Sequence, residues 1–135
     1  MKKTAGIFIT FFMCLSALTG CGNVSMYGTW NEYKQVESDG TVTEADDIRI
    51  TETFVIDGNG AVNTLHDKEG AMKDITVNYT VVKKNEAEFT LKNQDNKVYA
   101  EVKIEGDMLS YRIERADEDG DGNPDYTEYY FKKRK

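Results

Sequence analysis

Few residues in this sequence could cross-link, kink or bind zinc. Its 135 residues include two cysteines (Cys14 and Cys21), one proline, one histidine and one tryptophan. A disulfide framework needs paired thiols inside the folded part, and Cys14 falls in a leader, so none is expected there. The single His66 stands in a polar stretch with Asp67 and Glu69. With no second histidine and no free thiol, zinc would lack its nitrogen and sulfur ligands, and His66 reads as a solvated loop residue. The same scarcity argues against catalysis. There is no thiol nucleophile and no glycine-rich loop to cradle phosphate. A serine triad would have to join His66 to Ser38 or Ser110, neither in a nucleophile context. Carboxylates are abundant but sit mostly at turns, leaving a glycosidase pair as the one enzymatic alternative. Positive charge is also short, 17 basic residues against 24 acidic ones. Such a surface repels phosphate backbones, so nucleic acid is not an expected partner.

Only one long apolar run is present. Met1-Lys2-Lys3 is a short positive start, and Ala5 to Leu18 carries no charge. That length suits the hydrophobic region of a signal peptide better than a membrane span. It ends in Leu18-Thr19-Gly20-Cys21, which resembles the lipobox of bacterial lipoproteins. The resemblance implies a leader removed over residues 1–20, diacylglyceryl attachment at Cys21 and a short linker over 21–26. Added acyl chains such as palmitate would make the anchoring stable, since one chain alone holds only marginally. The alternative is an ordinary secretory signal with an incidental cysteine. The expected location is the outer side of the cell membrane, or the outer membrane of a two-membrane host. The tail Lys132-Lys133-Arg134-Lys135 reads as a solvated strand end that discourages edge pairing, with contact to anionic headgroups as the sharper alternative.

Sustained helical periodicity is absent, and what replaces it is alternation. Strand-like runs cover Gly28 to Val36, Ile48 to Asp57, Ala61 to Leu65, Ile75 to Val81, Ala87 to Leu91, Val98 to Ile104, Leu109 to Ile113, and Tyr126 to Lys132. In the second run Ile48, Ile50, Phe54 and Ile56 share a face that only Glu52 breaks. In the sixth, Val98, Ala100, Val102 and Ile104 alternate with Tyr99, Glu101 and Lys103. Gly58-Asn59-Gly60 offers a tight turn with Asn and Gly available for positive φ. Glu37 to Asp46 and His66 to Asp74 read as loops. Short links make neighbours pair antiparallel, and about eight one-faced strands must close into a barrel or stack as two sheets. Closure removes exposed edges, so an antiparallel up-and-down barrel over residues 27–135 is the expected fold.

Gly28-Thr29-Trp30 on the first strand, Thr53-Phe54-Val55-Ile56-Asp57-Gly58 ending the second and the closing Tyr129-Tyr130-Phe131-Lys132 resemble the small lipocalin-like domains of secreted bacterial lipoproteins. The resemblance implies an eight-stranded barrel, often with a cavity for an apolar small molecule, and places Trp30 as a plug at one end. The chain is shorter than full lipocalins and shows no pattern for a C-terminal helix. A ligand-stacking Trp30 at the open end is the alternative; a large aromatic starting the first strand is more often core.

The densest chemistry lies in Asp117-Glu118-Asp119-Gly120-Asp121-Gly122-Asn123-Pro124-Asp125. Acidic oxygens stand at positions 1, 3, 5 and 9, glycine at 6, Asn123 at 7, and Glu128 falls at 12. This is the spacing of a calcium loop, in which alternate residues aim oxygens at one hard cation. The flanks Leu109–Glu114 and Tyr126–Phe131 read as strands rather than helices, so Asp125 could close the site with Glu128 out of reach. The expected ligands are Asp117, Asp119, Asp121, Asn123, Asp125 and Glu128, with an affinity of about 10⁻⁴–10⁻³ M typical of extracellular modules. A solvated Asp/Gly hairpin is the alternative, against which stands the repulsion of crowded like charges.

Together these features lead to the expectation of a tethered, monomeric, non-catalytic binding module for an apolar or amphipathic small molecule, with a structural Ca²⁺. The alternative is a protein-interaction or inhibitor module with a solid core. Its contacts would come from loops such as Glu37–Asp47 and His66–Asp74 and from one outward aromatic pair of the last strand.

Overall fold

The computed structural model describes residues 25–135; the leader and Cys21 lie outside the described residues. Nine strands form: β1 (Gly28–Glu37), β2 (Val42–Glu44), β3 (Ile50–Asp57), β4 (Gly60–Asp67), β5 (Ile75–Lys83), β6 (Glu88–Lys92), β7 (Val98–Glu105), β8 (Met108–Arg115) and β9 (Asp125–Lys133). Neighbours from β3 to β9 pair antiparallel in sequence order, and β9 returns to β1. The result is a closed, lipocalin-like up-and-down barrel of eight strands, β1 and β3–β9. All eight alternating runs become its staves. The ninth strand, β2, lies inside the segment expected to be a loop. It takes the edge of β1 at Lys34–Val36, where β3 has already left after Asn31.

Side-chain period decides what enters the barrel. Trp30, Phe54, Ile56, Ala61, Phe89, Leu91, Val102, Leu109 and Phe131 all face inward and are buried. Trp30 has no exposed surface, and its indole N–H donates to the Met26 carbonyl at 2.8 Å. Met26 is itself buried, so the segment before β1 folds under the barrel and seals that end with Trp30. Aromatic rings continue the packing along the axis. Phe54 meets Phe131 edge-on at 5.3 Å, and Tyr111 stacks on Phe131 at 5.7 Å.

Two departures from simple alternation matter. The β1–β9 register shifts between Glu32 and Lys34. At β6–β7, Leu91 pairs with Ala100 and Lys92 with Val98, which leaves Tyr99 as the extra residue of a bulge. Tyr99 therefore packs against the core, stacked on Tyr79 at 4.7 Å. The expectation that Tyr99 shares the polar face with Glu101 and Lys103 is overturned, because the bulge re-aims it. Val98, expected on the inner face, is exposed. At the β3–β4 turn the positive φ falls on Gly60 (140°) rather than Asn59. A Cβ at Gly60 would stand 2.7 Å from the Tyr79 carbonyl oxygen, so both backbone angle and space demand glycine.

Antiparallel topology sorts the connections onto two ends. The sealed end holds residues 25–27, the Gly58–Asn59, 84–87 and Gly106–Asp107 turns, and the C-terminus. There Arg134 N–H donates to the Thr29 carbonyl at 2.8 Å, and Lys133 Nζ to the Ser25 carbonyl at 2.8 Å. The opposite end holds loops 38–49, 68–74, 93–97 and 116–124.

Candidate functional site

The inward faces change chemistry halfway along the barrel. Beyond Trp30 and Phe54, the next inward residues on β1 and β3 are Glu32 and Glu52, and on β4 Asn63 follows Ala61. Glu32 is 6% exposed. The two carboxylates are tied through the backbone: Glu52 N–H donates to Glu32 Oε1 at 2.9 Å, while Gln35 Nε2 donates to Glu32 Oε2 at 2.7 Å. The Tyr111 hydroxyl donates to Glu52 Oε1 at 2.6 Å, a short charge-assisted contact. Around them stand Tyr79, Tyr99 and Tyr129, with Tyr129 stacked on Tyr111 at 5.1 Å. The Asn63 amide lies close enough to pull the Glu52 carboxyl down. Yet buried Asn63 Nδ2 completes no hydrogen bond of normal geometry among the described residues. A buried amide nitrogen left so is rare and costly.

Burial governs the electrostatics here. It pushes the Glu32 carboxyl up to about 7, against the pull of Gln35 and with a further push from the Glu52 charge. Burial likewise raises Glu52, opposed by Tyr111 and Asn63. It raises the hydroxyls of Tyr99, Tyr111 and Tyr129 as well, and the Glu52 charge adds to each. No basic side chain forms an ion pair with Glu32 or Glu52 among the described residues; Lys68 pulls Glu32 down weakly from a distance.

This half of the barrel is open. Glu52, Leu65, Val77, Tyr79, Ile113 and Tyr129 face inward yet are partly exposed, so solvent reaches them from the end that carries the long loops. The wall is also notched. The β7–β8 ladder stops at Val102–Tyr111, and a cleft of about 410 Å³ occupies the split beyond it, with Tyr99 and Ile113 on its sides. A second cleft of about 300 Å³ lies between Thr76–Asn78 and Asn93–Asp95. At the rim, Glu37 accepts from Thr127 Oγ1 at 2.9 Å and pairs with Arg115 at 3.2 Å.

The aspartate loop sits on the same end, between β8 and β9. It brings together carboxylate oxygens of Asp117, Asp119 and Asp125, all within 4.8 Å of one another. Oxygens on opposite sides of a calcium ion stand about 4.6–5.2 Å apart, so the spacing of this trio is compatible with a shared ion. Gly120 and Gly122 adopt positive φ and fold the loop tightly. Asp117 accepts the N–H groups of Gly120 and Gly122, each at 2.8 Å, and Asp125 accepts that of Glu118 at 2.8 Å. The Gly122 N–H holds the Asp117 carboxyl low. For Asp119 the Asp121 N–H is the largest single influence and pulls down, but the Asp117 carboxyl, burial and the Asp121 and Asp125 charges together raise the group. A carboxylate has about four lone-pair sites, so these bonds leave oxygen capacity for an ion. Asp121 lies in the loop and accepts the Asn123 N–H at 2.8 Å. Glu128 is elsewhere: on the outer wall of β9 it pairs with Arg112 at 2.9 Å, under a guanidinium that stacks on Tyr126.

His66 is exposed and meets Asp74 at 2.8 Å. Asp67, read only as its polar neighbour, is a buried loop organiser. It accepts a two-pronged contact from Arg49 and the N–H groups of Glu69, Ala71 and Met72, and the Arg49 hydrogen bonds hold its carboxyl far below the usual range. Glu32, Asn63 and the four tyrosines were not singled out by the sequence as a site; the break at Glu52 in an apolar face was the one visible signal. No protein-family model matches the chain, and no curated protein or solved structure shows significant similarity to it, so the reading of this site rests on its own geometry.

Proposed function

We propose that this protein is a membrane-anchored, extracytoplasmic lipoprotein whose monomeric barrel is a non-catalytic binding module for an apolar or amphipathic small molecule, with a structural calcium ion in its aspartate loop. The observation that carries the reading is the asymmetry of the barrel. One end is sealed by Trp30 and Met26, and the other is open, tyrosine-lined and notched between β7 and β8. The anchoring part rests on the leader and on Cys21, which lies four residues before Ser25. Ser25 is at the sealed end, where its carbonyl accepts from Lys133 Nζ. A lipid at Cys21 would thus hold the sealed end to the bilayer and turn the mouth outward. Native mass spectrometry of the protein released from cell envelopes should find a co-purifying small molecule, and Cys21→Ser should move the protein to the soluble fraction. Ligand-free protein that also takes up none of a panel of amphipathic probes would sink the binding part; unchanged membrane partition of the variant would sink the tether.

The calcium reading is supported by the Asp117, Asp119 and Asp125 oxygens and by the room left on them. These three residues would hold the ion, which would cancel their repulsion and fix the β8–β9 connection. With a dissociation constant of about 10⁻⁴–10⁻³ M, 10 mM calcium should stabilise the fold by about 1.4–2.7 kcal/mol. The gain should vanish with EDTA and in Asp119→Asn. A melting temperature indifferent to calcium, with no heat in calorimetry, would leave the loop a plain hairpin.

One observation favours a protein-interaction surface as the second reading. Tyr126 and Tyr130 are the outward pair of β9, and Tyr130 meets Tyr33 edge-on at 6.5 Å with Lys34 4.7 Å above it. Outward-facing tyrosine is enriched at interfaces.

A further inference from the structure

We propose that the open half of the barrel selects an organic cation: a protonated amine on an aromatic or apolar body, its charge drawn to Glu52 and Glu32 and its body against Tyr79, Tyr99 and Tyr129. This rests on the binding reading above and narrows it to a chemical class.

Three independent features converge. The first is an uncompensated pair of carboxylates. Glu32 and Glu52 sit inside the barrel, linked by the Glu52 N–H, and neither forms an ion pair with a basic side chain among the described residues. A buried acid without a counter-ion is costly unless it is neutral or a cation arrives from outside. The second is Asn63 Nδ2, buried beside Glu52 and completing no hydrogen bond of normal geometry among the described residues. An amide donor cannot bind the ammonium itself, but it can donate to a polar substituent on the body of the ligand or to the carboxylate that binds the charge. The third is the aromatic lining. The Tyr79–Tyr99 and Tyr111–Tyr129 stacks stand near enough to Glu52 to feel its charge, and ring faces attract cations electrostatically. The bulge that turns Tyr99 inward completes this lining, which gives that irregularity a use.

The field around the mouth agrees. Loops 38–49, 68–74, 93–97 and 116–124 hold eleven acidic against four basic residues. A low-dielectric opening ringed by one sign of charge concentrates the opposite sign and speeds its arrival. A metal ion fits less well: two carboxylates already engaged by Gln35 and Tyr111, within an aromatic wall, offer few free oxygens for a hard cation.

The test compares three probes of one shape and different charge: 2-phenylethylammonium, neutral 2-phenylethanol and anionic 3-phenylpropionate. Each is titrated at pH 7.5 into the whole lipidated protein in neutral phosphatidylcholine vesicles, with Trp30 and tyrosine fluorescence and calorimetry as readouts. The ammonium should bind at least tenfold tighter than the alcohol, and the anion not measurably. Glu52→Gln keeps an acceptor for the Tyr111 hydroxyl and should remove most of the preference while leaving alcohol binding in place. Near-UV circular dichroism verifies the variant's fold, and Glu32→Gln supplies a second variant with the same expectation. Equal binding of ammonium and alcohol would overturn the cation proposal and leave the binding reading intact. A preference that survives both variants would assign the attraction to the acidic rim and overturn it too. If none of the three binds at millimolar concentration the proposal fails, whereas the co-purified ligand sought by mass spectrometry still decides the broader reading.

Discussion

Replacing Trp30 with alanine is expected to cost about 3–5 kcal/mol of folding stability, the largest effect of any single change to the core. The side chain has no exposed surface and stands between Phe54 across the β1–β3 ladder and the Met26 segment beneath. Its removal leaves a cavity that the surrounding staves cannot close, because each is held on both sides by its ladder. The Met26 carbonyl also loses the indole donor that draws it under the barrel. A domain of this size has only about 5–15 kcal/mol in total, so a large share of the population should unfold at moderate urea. The urea midpoint should fall sharply with little change in slope. A loss below about 1 kcal/mol would mean that the sealed end is not what holds the barrel shut.

The second large effect is a pH dependence centred on Glu32. Burial lifts its carboxyl from the ordinary 4.5 to about 7 in the folded protein. Between those values the folded state holds a proton that the unfolded chain has released. The associated stability is therefore complete below about pH 4.5 and is lost as pH rises through 7. A shift of this size corresponds to about 3 kcal/mol. Glu32→Gln, which keeps an acceptor for the Glu52 N–H, should be no more stable than the parent at pH 5 and about 2–3 kcal/mol more stable, relative to it, at pH 8. The groups facing Glu32 are Gln35 on its own strand, Glu52 on β3, Tyr129 on β9 and, more distantly, Lys68. Glu52, raised by the same burial, acts in the same sense. Asp67 acts in the opposite one: its carboxyl is depressed by Arg49, so its contribution is present above the ordinary carboxylate range and lost as pH falls below it. Stability should peak in mildly acid solution. Urea titrations of both proteins at pH 5 and 8 check this, and parallel pH profiles would show that Glu32 is not buried as an acid.

If an organic cation is the ligand, these two results are connected. A carboxylate that destabilises the empty barrel at neutral pH gains most when a positive charge enters. The energy withheld from folding then becomes available to binding.

How much of this could be read along the chain differs from feature to feature. The staves were legible because a residue's face in a strand depends only on its parity, and runs such as Ile75-Val77-Tyr79-Val81 keep that parity without interruption. Tyr99 was not, because a bulge shifts parity by one and depends on how β6 and β7 meet, not on any residue of its own. Strand β2 was hidden for a similar reason. Val42–Glu44 is a short segment without alternation, and it pairs only because β1 has an edge left free by β3. The aspartate loop was visible as a spacing, since its oxygens come from neighbouring residues. Glu128 could be taken for its twelfth position until the strand carried it to Arg112 on the outer wall.

The amino-acid order by itself determined the class of fold, the eight staves, the sealed-end tryptophan and the local geometry of the acidic turn, all consequences of short-range periodicity and turn chemistry. Only the tertiary structure decided that the staves close through β1 and β9. It alone brought Glu32, Glu52, Asn63 and the tyrosines from seven strands, β1, β3–β5 and β7–β9, together at one end of the barrel. Closure depends on the summed twist and register of every ladder, and a site made across strands has no signature in any one of them.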